Sequence, residues 1–201
     1  MAKLALNKSS LNKERKKLDT YRRYLPSLEL KQKQLTASWR RAADEHARLA
    51  EALDAKQGAL GDRIPMLASD QFDLSGMVRV DAVELGSENA VGVTLPVLRA
   101  VRVDIRPYSF LAEPHWVDAA LTRLRDVIRL RIEVAVAQRR VERLRRALLE
   151  ITQRVNLFRE VLIPRAEQNI RRIQIHLGDA ERSAVIRAKI AKRKSERGAA
   201  V

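Results

Sequence analysis

Three histidines, His46, His115 and His176, are the side chains best suited to bind a metal or to move a proton near neutral pH. They lie far apart in the chain, without the short regular ligand spacing of a zinc site on a helix. His46 and His176 could meet only if two separate helices packed in the right register, so each reads as a satisfied or solvated histidine. The carboxylates give no better start. Glu142 and Glu150 stand four residues ahead of Arg146 and Arg154, the favourable order for surface ion pairs along a helix. Nothing brings two carboxylates together in a pocket. The chain has no cysteine, which excludes a thiolate nucleophile, a thiolate zinc site and a disulfide framework. No Gly-rich phosphate-binding fingerprint occurs, and no Ser, His and Asp set carries a recognisable nucleophile turn. Trp39 falls on an apolar stripe and reads as core. The expectation is a chain with no active site, no cofactor and no metal, and not an enzyme.

The composition suggests what such a chain does instead. Aromatic residues make up 4% and charged residues 32% of 201 residues, with abundant Leu, Ala, Arg, Lys and Glu, which favours long helices over a compact aromatic core. Net charge is +7 over residues 1–60, −4 over 61–118 and +12 over 119–201, so both outer segments favour an acidic partner. The opening Met1-Ala2-Lys3-Leu4 has no apolar stretch or small-residue cleavage site, so no secretory leader is expected. No uncharged apolar run approaches the roughly 20 residues that span a bilayer, so no direct membrane insertion is expected.

Residues 1–60 are predicted to form an N-terminal coiled-coil helix. Leu4, Leu11, Leu18 and Leu25 recur every seven residues, and the row continues through Trp39, Leu53 and Leu60. A second row runs through Tyr21, Leu28, Leu35, Ala42 and Leu49. Together they make an a/d seam with charged flanks, the run Lys13-Glu14-Arg15-Lys16-Lys17 taking outward positions. Gln32 and His46 weaken the seam locally. Pro26 removes a backbone donor and should bend the helix without ending the pattern. Gly58 and Gly61, then Pro65, mark the predicted end.

Residues 118–201 are predicted to form a C-terminal coiled-coil helix with a basic tail. Its seam reads Val127, Leu130, Val134, Ala137, Val141, Leu144, Leu148, Ile151, Val155, Phe158 and Leu162. It passes Pro164 and resumes at Ile170, Ile173, Leu177, Ala180 and Ala184. Leu162 to Ala166 to Ile170 repeats a four-residue step, a stutter that locally unwinds a supercoil. Two helices of about 55 and 75 residues, roughly 80–110 Å long, each with one apolar stripe, cannot stand alone in water. Antiparallel pairing within the chain is the economical solution, and homodimerisation through either stripe is the competing one.

Residues 61–117 connect the two helices. The runs Val78–Leu85 and Val101–Arg106 alternate with period two, with Gly86, Gly92 and Pro96 between them, which predicts a short β-hairpin ended by Pro107. Glu113-Pro114-His115-Trp116 leads into the second helix. A two-stranded unit of this size needs the helices or a partner for support. The predicted fold is thus all-α dominated: a long antiparallel two-helix coiled coil with a small β-hairpin insertion.

The basic faces admit other functions. Arg139, Arg140, Arg143, Arg145 and Arg146 could neutralise nucleic-acid phosphates. However, they are interleaved with seam residues rather than set on a free basic region, and the aromatic platforms of single-strand binders are missing. Lys189, Lys192, Arg193 and Lys194 could meet an anionic membrane surface, without bulky apolar anchors. A plain solvated face fits as well.

Particular stretches point to one family. Met1-Ala2-Lys3-Leu4-Ala5-Leu6-Asn7-Lys8-Ser9-Ser10-Leu11, followed by Leu25-Pro26-Ser27-Leu28-Glu29-Leu30-Lys31, resembles the opening of the D subunit of bacterial V-type ATPases and ATP synthases. Arg154-Val155-Asn156-Leu157-Phe158 with Val161-Leu162-Ile163-Pro164 resembles that family's "RVNALE…VLIP" stretch, and Glu181-Arg182, Arg187, Lys189 and Lys192 resemble its basic ending. The resemblance covers both helices and implies a non-catalytic central-stalk rotor protein, an antiparallel coiled-coil axle. The end with both termini would insert into a hexamer of catalytic and regulatory subunits, which Arg182, Arg187, Lys189 and Lys192 would contact. The remainder would bind the small F subunit of the central stalk and a socket subunit above the membrane ring. It further implies a cytoplasmic location at the membrane face, one copy per complex rather than a homo-oligomer, and no nucleic-acid partner.

Overall fold

The computed structural model describes residues 5–63, 76–108 and 116–198. Helix α1 runs from Lys8 to Arg63 without interruption. It starts where Asn7 Oδ1 accepts the backbone N–H of Ser10 at 2.7 Å, satisfying one of the donors that a helix start leaves without a partner. Pro26 lies inside α1 and does not end it. Gly58 and Gly61, expected at the helix end, are also inside it. One glycine costs a helix only about 1 kcal/mol relative to alanine, too little to stop a long one. Pro65 lies outside the described residues, as do His115 and most of the predicted lead-in to the second helix.

Strands β1 (Val78–Ala90) and β2 (Val93–Ile105) pair antiparallel, from Val78 opposite Ile105 to Ala90 opposite Val93. The hairpin is longer than its alternating pattern suggested, because Gly86 and Pro96 lie within strands rather than between them. Gly86 is where the Arg99 side chain crosses the neighbouring strand, close enough that a Cβ would collide with it. The turn is only Val91-Gly92, with φ of 55° and 80°. Positive φ at both positions is what a two-residue hairpin loop needs to match strand twist, and a β-branched residue adopts it only under strain. Asn89 Oδ1 accepts the Gly92 N–H at 2.8 Å and holds the turn.

Helix α2 (Trp116–Asn156) passes through a π-helical turn, Leu157–Leu162, into α3 (Ile163–Gly198). The chain divides into two compact units, one of Met1–Leu30 with Ile151–Val201 and one of Lys31–Glu150.

In the first unit the start of α1 lies antiparallel to the π turn and α3. Glu29, Arg22 and Glu14 meet Arg159, Glu167 and Asn169 in turn. Leu11, Ile151, Val155, Ala166 and Ile173 form its buried core. Ala180 and Ala184, expected to continue the seam, are exposed, as is every side chain described from Asp179 to Arg193. Helix α1 begins only at Lys8, so α3 outruns its partner shortly after Ile173.

In the second unit Leu35 and Ala42 of α1, Leu95 and Val101 of β2, and Val117, Leu121, Leu130 and Leu144 of α2 are buried. The start of α2 is the part of this core that the heptad reading left out. Its signal was nonetheless present, as Val117, Ala120 and Leu121 follow the i, i+3, i+4 spacing of a buried helical stripe.

Candidate functional site

No catalytic constellation assembles among the described residues. His46 falls in the second unit and His176 in the first, the former half-buried and the latter exposed. Among the described residues no three metal-binding side chains come together. The expected pairs Glu142–Arg146 and Glu150–Arg154 do not form. Glu142 accepts from Gln138 Nε2 at 3.3 Å instead, one of several near-equivalent partners on an exposed helix face where an ion pair adds little. The surface that can do work is therefore the helix pair, its cross-helix ties and the hairpin docked on α2.

Within the predicted seam, Leu11, Leu35, Leu144, Ile151 and Val155 are buried. Leu18, Leu25, Leu28, Leu49, Leu148, Phe158 and Leu162 are half-buried, as befits two helices that cover only one side of each other. The Tyr21 and Phe158 rings meet edge to face at 5.5 Å between centroids, a pairing worth roughly 1 kcal/mol beyond burial alone.

Glu14 departs from the sequence reading. Placed on the outward face there, it is 7% exposed, the one charged residue in the buried set among the described residues. Extending the Tyr21, Leu28, Leu35 row back by seven lands on Glu14, so the pattern contained the signal and residue type obscured it. Lys17 Nζ donates to Glu14 Oε1 at 2.7 Å and Asn169 Nδ2 to Oε2 at 3.1 Å. Burial by itself would raise the Glu14 pKa. The Lys17 and Asn169 hydrogen bonds, with the charges of Lys17 and Arg165, outweigh it and hold the carboxyl below its ordinary value. The same contact raises the Lys17 pKa.

A depressed carboxylate pKa stabilises the fold above its unfolded value and loses that contribution as pH falls through the folded value. The helix pair should thus lose stability on acidification below the ordinary glutamate range. Glu14→Gln should be less stable at neutral pH and show a flatter acid limb in thermal melts followed between about pH 7 and pH 3. An unchanged acid limb in that variant would rule out Glu14 as its source.

Two further ion pairs cross the first unit, Arg22–Glu167 at 2.6 Å and Arg159–Glu29. Both are largely solvent-exposed, so they fix register more than they stabilise.

The arginines of α2 have a role that their spacing alone did not reveal. Arg143 donates to the Thr94 carbonyl at 2.9 Å, Arg129 to the Val101 carbonyl at 3.4 Å, and Arg140 pairs with Glu88 at 3.4 Å. Two backbone acceptors of β2 and one carboxylate of β1 are held by a single stripe of α2. Arg140 and Arg143, candidates for nucleic-acid phosphates in the sequence, are committed to the hairpin.

The predicted contact residues Arg182, Arg187, Lys189 and Lys192 are all exposed on the stretch of α3 that outruns α1. Arg182 lies 3.9 Å from Asp179 one turn earlier. Among the described residues no helix is long and apolar enough to cross a membrane.

A protein built this way belongs to the class of helix-pair proteins with a hairpin insertion. The profile of one family, that of the ATP synthase D subunit, matches residues 10–193. The chain is 33% identical to the V-type ATP synthase D subunit of Borreliella burgdorferi over 195 residues, covering 96% of this chain and 95% of that one. It is 31% identical to the protein of the same name from Chlamydia muridarum and 32% to that of Chlamydia trachomatis serovar L2. In both, 96% of each chain is covered. The chain belongs to the ATP synthase D-subunit family.

Proposed function

We propose that this chain is the central-stalk rotor protein of a V-type ATPase or ATP synthase. It transmits rotation between a catalytic hexamer and a membrane ion-translocating ring, and it does no chemistry itself. The observation that carries the reading is the antiparallel pairing of α1 with α3 in a chain whose family match spans nearly its whole length. Two helices tied along their sides resist twisting where a single helix would turn freely, and torque needs such an element.

The exposed end of α3, with Arg182, Arg187, Lys189 and Lys192, enters the hexamer of catalytic and regulatory subunits. Long flexible cations make shallow, screened contacts there, which lets a rotor pass from one angular position to the next. The small F subunit of the stalk and a socket subunit above the membrane ring bind the remainder. The chain is present once per complex at the cytoplasmic face and has no nucleic-acid partner.

Because the sequence has no cysteine, one introduced thiol labels it uniquely. Ser87→Cys, in the hairpin, would carry a bead or gold particle on a complex immobilised through its hexamer. ATP-driven stepwise rotation of the particle is the expected result. An intact, ATP-hydrolysing complex whose particle stays still would refute the rotor assignment.

A further inference from the structure

The C-terminal helical run contains a dislocation. Ile151 to Phe158 and Ala166 to Ile173 are heptad steps, but Phe158 to Ala166 is eight residues. Ile151, Ala166 and Ile173 are buried and Phe158 is half-buried against Tyr21, so both halves face the same seam. One residue too many lies between them. The sequence pattern suggested a stutter that loosens the supercoil, whereas the structure widens one turn instead. Leu157–Leu162 is π-helical, and the Ile163 N–H donates to the Phe158 carbonyl five residues back.

Pro164 follows immediately, so the Glu160 carbonyl has no N–H four residues on to accept from. None of the six π residues is buried, and Leu157 and Val161 are 46% and 47% exposed. Ties to α1 stand at both ends. Arg159–Glu29 and Tyr21–Phe158 lie at the start of the turn, and Arg22–Glu167 and Glu14–Asn169 lie beyond it.

We propose that Leu157–Leu162 is a torsional joint of the helix pair, a built-in one-residue excess that yields to twist while the flanking ties keep both halves in phase with α1. A π turn has poorer hydrogen-bond geometry than the α-helix around it and is found mostly as a single-turn insertion. Twist applied to a braced pair collects where resistance is lowest. Here that is the turn with no buried side chain and one carbonyl deprived of its α-helical donor. Pro164 keeps the excess residue in place, because moving the wide turn towards the C-terminus would need an N–H that proline lacks. The value of such a joint in torque transmission rests on the rotor reading. The mechanical property itself does not.

Amide hydrogen exchange on the isolated full-length chain tests it. The amides of residues 159–163 should exchange at least about tenfold faster than those of 151–155 and 168–173. Deleting Glu160, which is exposed, together with Pro164→Ala restores continuous heptads. That variant should lose the fast exchange and melt at a higher temperature. Pro164→Ala alone keeps the extra residue and should keep the fast exchange. If it becomes protected, the proline and not the excess residue creates the weakness, and the assignment is overturned.

Phase is read by Glu14→Cys with Asn169→Cys and a short bis-methanethiosulfonate cross-linker, on which each thiolate displaces a sulfinate, and which should link the two positions both with and without the deletion. Loss of that link in the deletion variant, or uniform protection through the turn in the parent chain, would overturn the proposal. These readouts involve no partner, so their failure would leave the rotor reading standing, and its failure would leave them unaffected.

Discussion

Leu144→Asp is expected to lower the melting temperature of the protein by roughly 10 °C or more. Leu144 is 1% exposed in the core of the hairpin-bearing unit. An aspartate there loses the apolar contacts of the leucine and buries a charge for which the neighbouring seam offers no partner. Removing one partner of a buried pair or stranding a charge costs about 3–5 kcal/mol, and in a chain of this size each kcal/mol moves the midpoint by about 2–4 °C. Leu149, five residues on and 56% exposed, provides the control. Leu149→Asp should shift the midpoint by no more than about 2 °C, since surface changes usually stay within about 0.5 kcal/mol. Leu148→Asp, at a half-buried position, should fall between the two. Thermal melts followed by helical circular dichroism give all three numbers. Equal midpoints for Leu144→Asp and Leu149→Asp would mean that the seam does not hold the unit together.

The contrast between Leu144 and Leu149 was readable in the sequence, since heptad spacing is imprinted wherever one stripe of a helix is buried. The two long helices were legible for the same reason, and the hairpin from the period-two alternation of its strands. The remainder depended on terms that a one-dimensional pattern does not carry. Glu14 stood on a seam position, but its charge argued for the surface, and only its partners Lys17 and Asn169 make burial tolerable. The latter is 155 residues away in the chain.

Gly86 and Pro96 read as strand breakers, yet each occupies a strand position where its peculiarity is harmless or useful. The excess residue before Ala166 was visible as an irregular step, but spacing alone could not tell a loosened supercoil from a widened turn. Proline at 164 was the missing clue. Its lack of an N–H favours i to i−5 bonding just upstream. The arginine stripe of α2 was the least legible feature, because two of its partners are backbone carbonyls, and backbone acceptors have no sequence signature.

That stripe supports the second large effect. Arg129→Ala combined with Arg143→Ala is expected to free the hairpin from α2, raising amide exchange across Val78–Ile105 by roughly thirtyfold. A hydrogen bond from a charged donor contributes about 1.5–3 kcal/mol when well enclosed. The Arg143 bond is exposed and the part-buried Arg129 bond is long, so about 1 kcal/mol each is the fitting scale after screening. Two such losses give about 2 kcal/mol, which is roughly thirtyfold in the opening equilibrium. A two-stranded sheet has little stability of its own, so a hairpin that lifts should also fray, and the whole of β1 and β2 should report the change. Leu95 and Val101 remain as apolar anchors and keep the hairpin from being lost altogether. Arg143→Lys should be only partly effective, because an ammonium is a point donor without the planar fork of arginine. Arg145→Ala, on an exposed neighbour that makes no such contact, should leave the exchange unchanged. If Arg129→Ala with Arg143→Ala left hairpin exchange at the parent level, apolar packing alone would hold the hairpin, and these arginines would again be available to an acidic partner.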